Sequence, residues 1–307
     1  MITRFFSTSK PIHLVIVILF SLLVFMFTRI NNFEGSLNFI LFLKQIGLYS
    51  VVLASIFVLD FFVSKNSLTK RSSYKILLFS LFIAILPVTI QIDNVLISNL
   101  FVLLAIRRII SLRSNKDVKK KLFDAAFWIG IASLFYFWAI LFFILVFAAL
   151  FFYSINNFKN WIIPFIGLLT VIIIIISYSI IESNQFTDFN NYLDAISFDF
   201  ATYNVLGLII GITILTSLGL WTLFFYIRNL KNKIKRQRPS HILIIVALLI
   251  SVANVLIVPN KNGSEYIFMF APLSIIMANY IESIKEKWFA ELFVWILILT
   301  PISYLAL

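Results

Sequence analysis

RRIISLRSNKDVKKKLFDAAFWIGIASLFYFWAILFFILVFAALFFY, residues 107–153, is the stretch whose reading decides the fold. It joins a basic knot, with Arg107, Arg108, Arg113, Lys116, Lys119, Lys120 and Lys121, directly to an unbroken apolar run. A polybasic loop beside apolar spans stays on the cytoplasmic side of a membrane, so the knot sets the orientation of the chain. The apolar run is long for one span of about 20 residues and short for two. Charges downstream choose between these. Residues 182–199 hold Glu182, Asp188, Asp194 and Asp199 with no Lys or Arg, whereas 228–238 hold Arg228, Lys231, Lys233, Lys235, Arg236 and Arg238. One pass through 122–153 would export this second knot, and two passes return it to the cytoplasm. The run therefore reads as a tight helical hairpin within 122–155, turning near Phe135 to Phe137. At about 1.5 Å per residue each half reaches about 20–25 Å against roughly 30 Å of hydrocarbon, so neighbouring helices must cover the turn.

Composition agrees with a membrane setting. With 62% hydrophobic and 12% charged residues and a mean hydropathy of +1.04, the chain cannot be a soluble core wrapped in a polar shell. The fold class that follows is all-α, a polytopic transmembrane helical bundle of about eleven spans. No polar stretch is long enough for a soluble domain of about 50 residues or more, so 1–307 reads as one integral membrane domain. The net charge of +12 sits in loops that bound apolar runs, which argues against nucleic acid and for membrane lipids as partners. Having no Cys and only His13 and His241 excludes disulfides, thiol chemistry and a His/Cys metal centre. A divalent cation on carboxylates stays open, and no residue pattern requires a cofactor.

Outward from the hairpin, apolar runs cover 12–27, 38–63, 76–90, 96–112, 161–181, 205–226, 242–258, 267–281 and 288–305. Together with the two halves of the hairpin they alternate between faces, from a cytoplasmic N-terminus to an outer C-terminus. Every Lys and Arg except Arg29, Lys44 and Lys261 then lies inside, as expected for a bacterial inner-membrane protein. The first run lacks a small-x-small cleavage site and reads as a retained span. GLIIG, with Gly207 and Gly211, reads as close packing inside the chain rather than a dimer seam.

No Walker loop, GxGxxG, GxSxG, HExxH or DxD occurs in a suitable context, so chemistry falls to the sparse polar outer face. Arg29, Glu34 and Lys44 bracket the first outer turn. A carboxylate beside two cations inside an apolar rim can deprotonate an acceptor while the cations hold a phosphate. The plainer reading makes them ordinary span-end residues, with Lys44 snorkelling outward. Asp93 in the second outer turn is a further candidate base, or simply a turn-forming acid. The candidate set is Glu34 and Asp93 for catalysis, and Arg29, Lys44 and Lys261 for substrate or phosphate.

The order of short hydrophobic hairpins, outer-face acids and the late NKNGSEYIFMFAPLSIIMANYIE, with Lys261, Glu265, Tyr266 and Pro272, resembles the polytopic glycosyltransferases of the GT-C class. The resemblance implies an enzyme that uses a polyprenyl-phosphate-linked sugar donor, with Glu34 as catalytic acid of the first outer loop and Lys261 or Arg29 on the donor phosphate. The chain departs from that class in a much shorter first outer loop and in offering Glu where Asp is common. The whole chain also looks like an uncharacterised family of bacterial multi-pass inner-membrane proteins. Two other readings stay open: a noncatalytic membrane subunit packing against a partner, and a lipid or solute transporter.

Overall fold

Inside a membrane no water bonds the peptide groups, so apolar runs must close their hydrogen bonds internally. The computed structural model describes residues 1–31, 39–155, 157–183, 196–259 and 261–306, and every regular element among them is helical. These are α1 (Ile2–Phe6), α2 (Pro11–Asn31), α3 (Phe39–Lys65), α4 (Tyr74–Ile85), α5 (Asp93–Ser111), α6 (Val118–Phe135), α7 (Phe143–Phe152), α8 (Phe158–Ser183), α9 (Leu206–Asn229), α10 (Arg238–Ile257), α11 (Ile267–Ser283) and α12 (Lys287–Ala306). Tight 3-10 turns at Pro87–Ile90, Phe137–Phe142 and Ser264–Tyr266 lead out of or into α4, α7 and α11. Of the eleven spans expected, length and apolarity alone identify seven among the described residues: α2, α3, α5, α8, α9, α10 and α11. They mark the chain as a membrane protein.

The hairpin turns where its halves meet. α6 stops at Phe135, and Tyr136 is extended (φ −148°, ψ 103°) before the 3-10 turn begins. Neither Pro nor Gly makes this break; side chains do. The Tyr136 ring stacks on Phe268 at 5.5 Å, and Asn254 Nδ2 donates to the Trp138 carbonyl at 3.2 Å, satisfying a group that the helix has released. The two outer ends of the hairpin come back together. Lys121 Nζ donates to the Ser111 carbonyl at 2.8 Å and Tyr153 Oη to the Ile110 carbonyl at 3.2 Å, both at the C-terminal end of α5.

α4 ends for a different reason. The residue before a proline is pushed out of the helical region, and Leu86, at φ −124°, ψ 74°, precedes Pro87. Every residue of α4 is buried. It lies against α11, the centre of the bundle, whose apolar window is 94% buried against 17% for α8 at the rim. Phe79 and Phe82 of α4 both meet the Phe270 ring of α11, at 6.3 and 5.7 Å. With lipid as solvent, burial of apolar surface does little to hold helices together, and close approach matters more. A Cβ on Gly211 of α9 would lie 2.8 Å from Leu86 Cδ2 and 3.1 Å from the Ile85 carbonyl. The GLIIG glycine therefore packs inside the chain.

Polar contacts gather the helix ends into two groups. At one end the Met1 amine meets Glu291, Tyr74 Oη donates to the Thr3 carbonyl (2.6 Å), Arg113 to the Asn66 carbonyl (2.7 Å), and Tyr153 shares a hydrogen bond with Ser240 (2.9 Å). Asn254, Lys261, Arg29, Lys44 and Asp93 make their contacts at the other end. The basic knots belong to the first group.

Candidate functional site

Three of the five predicted site residues meet. Asp93 opens α5, where a carboxylate complements the positive end of the helix. The preceding 3-10 turn, Pro87–Ile90, brings that end beside the last turn of α2. There Arg29 Nη2 lies 2.8 Å from Asp93 Oδ1 and Lys44 Nζ 2.7 Å from Oδ2, so each carboxylate oxygen faces its own cation. Arg29 also donates to the Ile90 carbonyl at 2.6 Å, and its guanidinium lies 5.6 Å from the Phe25 ring centre. Arg29 Nε makes no hydrogen bond among the described residues. The Lys44 side chain is 57% exposed while Arg29 is 15% exposed, which leaves the lysine as the accessible cation. With a cation beside each oxygen Asp93 is placed to orient the two, although its Oδ1 makes no hydrogen bond among the described residues. Glu34 lies outside the described residues.

Lys261 does not join them. It is 3% exposed, and its ammonium turns inward to donate to the carbonyls of Ser197 (2.5 Å) and Val258 (2.6 Å), 4.8 Å from the Phe200 ring centre. These contacts strap the segment before α9 onto the end of α10. Beside it Glu265, 1% exposed, accepts a hydrogen bond from Tyr203 Oη. Burial, and then the Glu265 carboxylate next to it, raises the Tyr203 phenol above its ordinary range, so it stays a donor. The turn is tight because Gly263 adopts φ +91°, and a Cβ there would meet Val88 at 2.9 Å. The two polar nests thus sit on opposite sides of one 3-10 turn, Pro87–Ile90. Tyr203, Asn254 and Tyr136 were not singled out from the sequence. Of this second nest the sequence offered only Lys261, as a candidate cation, and Glu265, within the late stretch that carries the GT-C resemblance. Asp199 is exposed at the same end, and Asp188 and Asp194 lie outside the described residues.

Alongside α2 runs a groove of about 740 Å³, almost entirely apolar. α2 lines it with Val17, Phe20 and Val24, α4 with Leu81 and Ala84, and α12 with Ile298. It extends from Ile2 and Phe6 at the end with the basic loops to Thr28 and Pro87 at the other, one residue from Arg29. No residue of the groove carries a formal charge; charged groups lie just beyond each end, Arg29 past Thr28 and the Met1 amine with Glu291 past Ile2. An apolar wall of this length signals hydrocarbon, and sequence periodicity did not reveal it because α2 is hydrophobic on every face.

The chain belongs to a family of unknown function (DUF6427), whose model matches residues 1–307. Comparison with curated proteins gave no match, and comparison with solved structures gave none either.

Proposed function

We propose that this chain is an eleven-pass protein of a bacterial inner membrane, N-terminus cytoplasmic and C-terminus outside, that holds a polyprenyl-phosphate-linked sugar at the outer face, as a GT-C-like enzyme or handling protein. The observation that carries this reading is the apolar groove beside α2 that ends at Arg29. A polyprenyl tail needs a long hydrocarbon wall, and its phosphate needs cations where the wall stops. Among the described residues Lys44 contacts Asp93 and keeps further ammonium hydrogens, and Arg29 Nε makes no hydrogen bond. Arg29 and Lys44 supply the donors for the phosphate, and Asp93 orients them. Glu34, in the turn between Arg29 and Lys44, is the acid that would take a proton from an acceptor. The eleven-pass count draws support from the two groups of helix ends, each reached by every second connection, and the orientation from the basic loops gathered in one of them.

The test uses the full chain purified in detergent, titrated with a polyprenyl phosphate and with the uncharged polyprenol of the same length. The phosphate should bind at least about tenfold more tightly, or about 1.4 kcal/mol. Lys44→Met should remove most of that difference, and Ala84→Phe, which narrows the groove, should weaken both lipids. Equal binding of the two lipids, unchanged in Lys44→Met, would overturn the proposal.

A further inference from the structure

The end that carries the basic loops holds a second cavity, of about 300 Å³, and polar and charged residues line this one. It opens between the C-terminal ends of α9 and α11 and the loop from α3 to α4. Two ammonium groups face it. Lys233 Nζ donates to Asn279 Oδ1 at 3.1 Å, and Asn279 is itself fixed, since its Nδ2 donates to the carbonyls of Leu68 and Ile275 at 2.9 Å each. Lys70 Nζ donates to the Glu282 carbonyl at 3.1 Å. Among the described residues neither lysine makes an ion pair. The acid of the cavity, Glu282, has its carboxylate turned to the α3–α4 loop, accepting from Ser72 Oγ (2.5 Å) and the Lys70 backbone N–H (2.9 Å).

The position of Lys233 is built rather than incidental. The Arg238 guanidinium clamps the turn that carries it, donating to the carbonyls of Lys233 (3.0 Å) and Lys231 (2.6 Å). Burial lowers the Lys233 ammonium from its ordinary value; Glu282 opposes this and Lys70 adds to it. Lys233 is half-buried and Lys70 exposed, so the cavity sets one ammonium partly removed from water beside a second that stays solvated, with Glu282 near both but within ion-pair distance of neither. The side-chain amides of Asn229 and Asn232 line the same cavity and make no hydrogen bond among the described residues. Helix C-termini and Glu282 contribute negative potential, but residues 228–238 also carry Arg228, Lys231, Lys235, Arg236 and Arg238 with no acid, so the mouth stays positive.

We propose that this cavity binds a phosphate group, held by the ammonium groups of Lys70 and Lys233 and the amides of Asn229 and Asn232. These four side chains supply donors in a small concave space, which suits an oxyanion that only accepts. The phosphate comes either from an anionic lipid headgroup at the membrane surface or from free phosphate in solution.

The experiment measures binding to the purified full chain with two probes, phosphatidylglycerol in phosphatidylcholine nanodiscs and inorganic phosphate. It compares wild type with Lys70→Gln/Lys233→Gln and with Lys231→Gln/Lys235→Gln, which removes the same charge from outside the cavity. The first double variant should lose at least about tenfold in affinity and the second less than about twofold. Binding of phosphatidylglycerol alone assigns the site to a lipid headgroup, and binding of inorganic phosphate as well assigns it to the phosphate group itself. Should Lys70→Gln/Lys233→Gln fail to fold, Asn232→Asp brings a carboxylate to the cavity from an exposed position and should weaken binding to a similar extent. Equal losses in the two double variants, or binding of neither probe to wild type, would overturn the proposal.

Discussion

Replacing Gly167 by alanine puts a methyl group into the seam where α8 rests on the first half of the hairpin. Its carbon would lie 2.8 Å from the Phe123 carbonyl oxygen, 2.9 Å from Ala126 Cβ and 3.2 Å from the Phe127 nitrogen, whereas ordinary contact begins at 3.4 Å. Two of these three atoms are backbone and the third is a Cβ, so no side chain can rotate to make room, and the helices have to part. Overpacking of this sort costs about 1–3 kcal/mol. Alanine's advantage over glycine in a helix, at most about 1 kcal/mol in water, recovers little of that, because in a membrane the separated segments are already helical. Gly47 in α3 is the control: a Cβ there has nothing within 4 Å, so Gly47→Ala should be neutral or slightly stabilising. Thermal unfolding of both variants in one detergent decides the matter. At about 2–4 °C per kcal/mol, Gly167→Ala should fall by several degrees and Gly47→Ala by none. Equal shifts in the two variants would refute the close contact of α6 with α8, and with it the placement of the hairpin against the rim.

Two further predictions concern the ends of the helices. Single cysteines at Asp199 and Asn232, in this cysteine-free chain, should respond differently to an impermeant maleimide, the first in intact cells and the second only after lysis; labelling of Asn232→Cys in intact cells would reverse the proposed orientation. Asp93→Asn removes the counter-charge of Arg29, which is 15% exposed, and should cost about 1–3 kcal/mol in thermal unfolding, while Lys44→Met, at a side chain 57% exposed, should cost less than about 1 kcal/mol. An Asp93→Asn variant as stable as Lys44→Met would mean that the cations do not depend on this carboxylate.

The features legible in the sequence are those that charge and length control. The hairpin was readable because the second basic knot restricts how many times the chain crosses after the first, and the break falls at Tyr136 within the stretch expected. The meeting of Arg29, Lys44 and Asp93 was half visible: Arg29 and Lys44 were grouped through Glu34, and Asp93 was assigned to another turn. Nothing local places residue 93 beside residues 29 and 44, since that neighbourhood depends on Pro87 ending α4 early and the 3-10 turn folding back to α2. The surroundings of Lys261 were less visible still. A lysine in a polar turn reads as accessible, yet the chain at residues 197–200 covers it, and only the folded chain brings those residues to it.

The shortness of α4 also bears on the eleven-pass reading we propose. A rule of about 20 apolar residues per span assumes that lipid surrounds the helix, so that any peptide group beyond its ends must remain in hydrocarbon. α4 has 12 residues, all buried by α2, α3, α11 and α12, so protein rather than lipid surrounds it. At about 1.5 Å per residue it covers about 18 Å, and the 3-10 turn at about 2 Å per residue adds about 8 Å, which brings the pair close to the thickness of the hydrocarbon. The non-helical backbone at Leu86 falls where Gly211 of α9 packs against it, inside protein rather than in lipid. The same holds for Tyr136, whose break is covered by Asn254 and Phe268. In both short passes the released backbone is therefore covered by protein, and a criterion of length alone misses them for the physical reason that makes them possible.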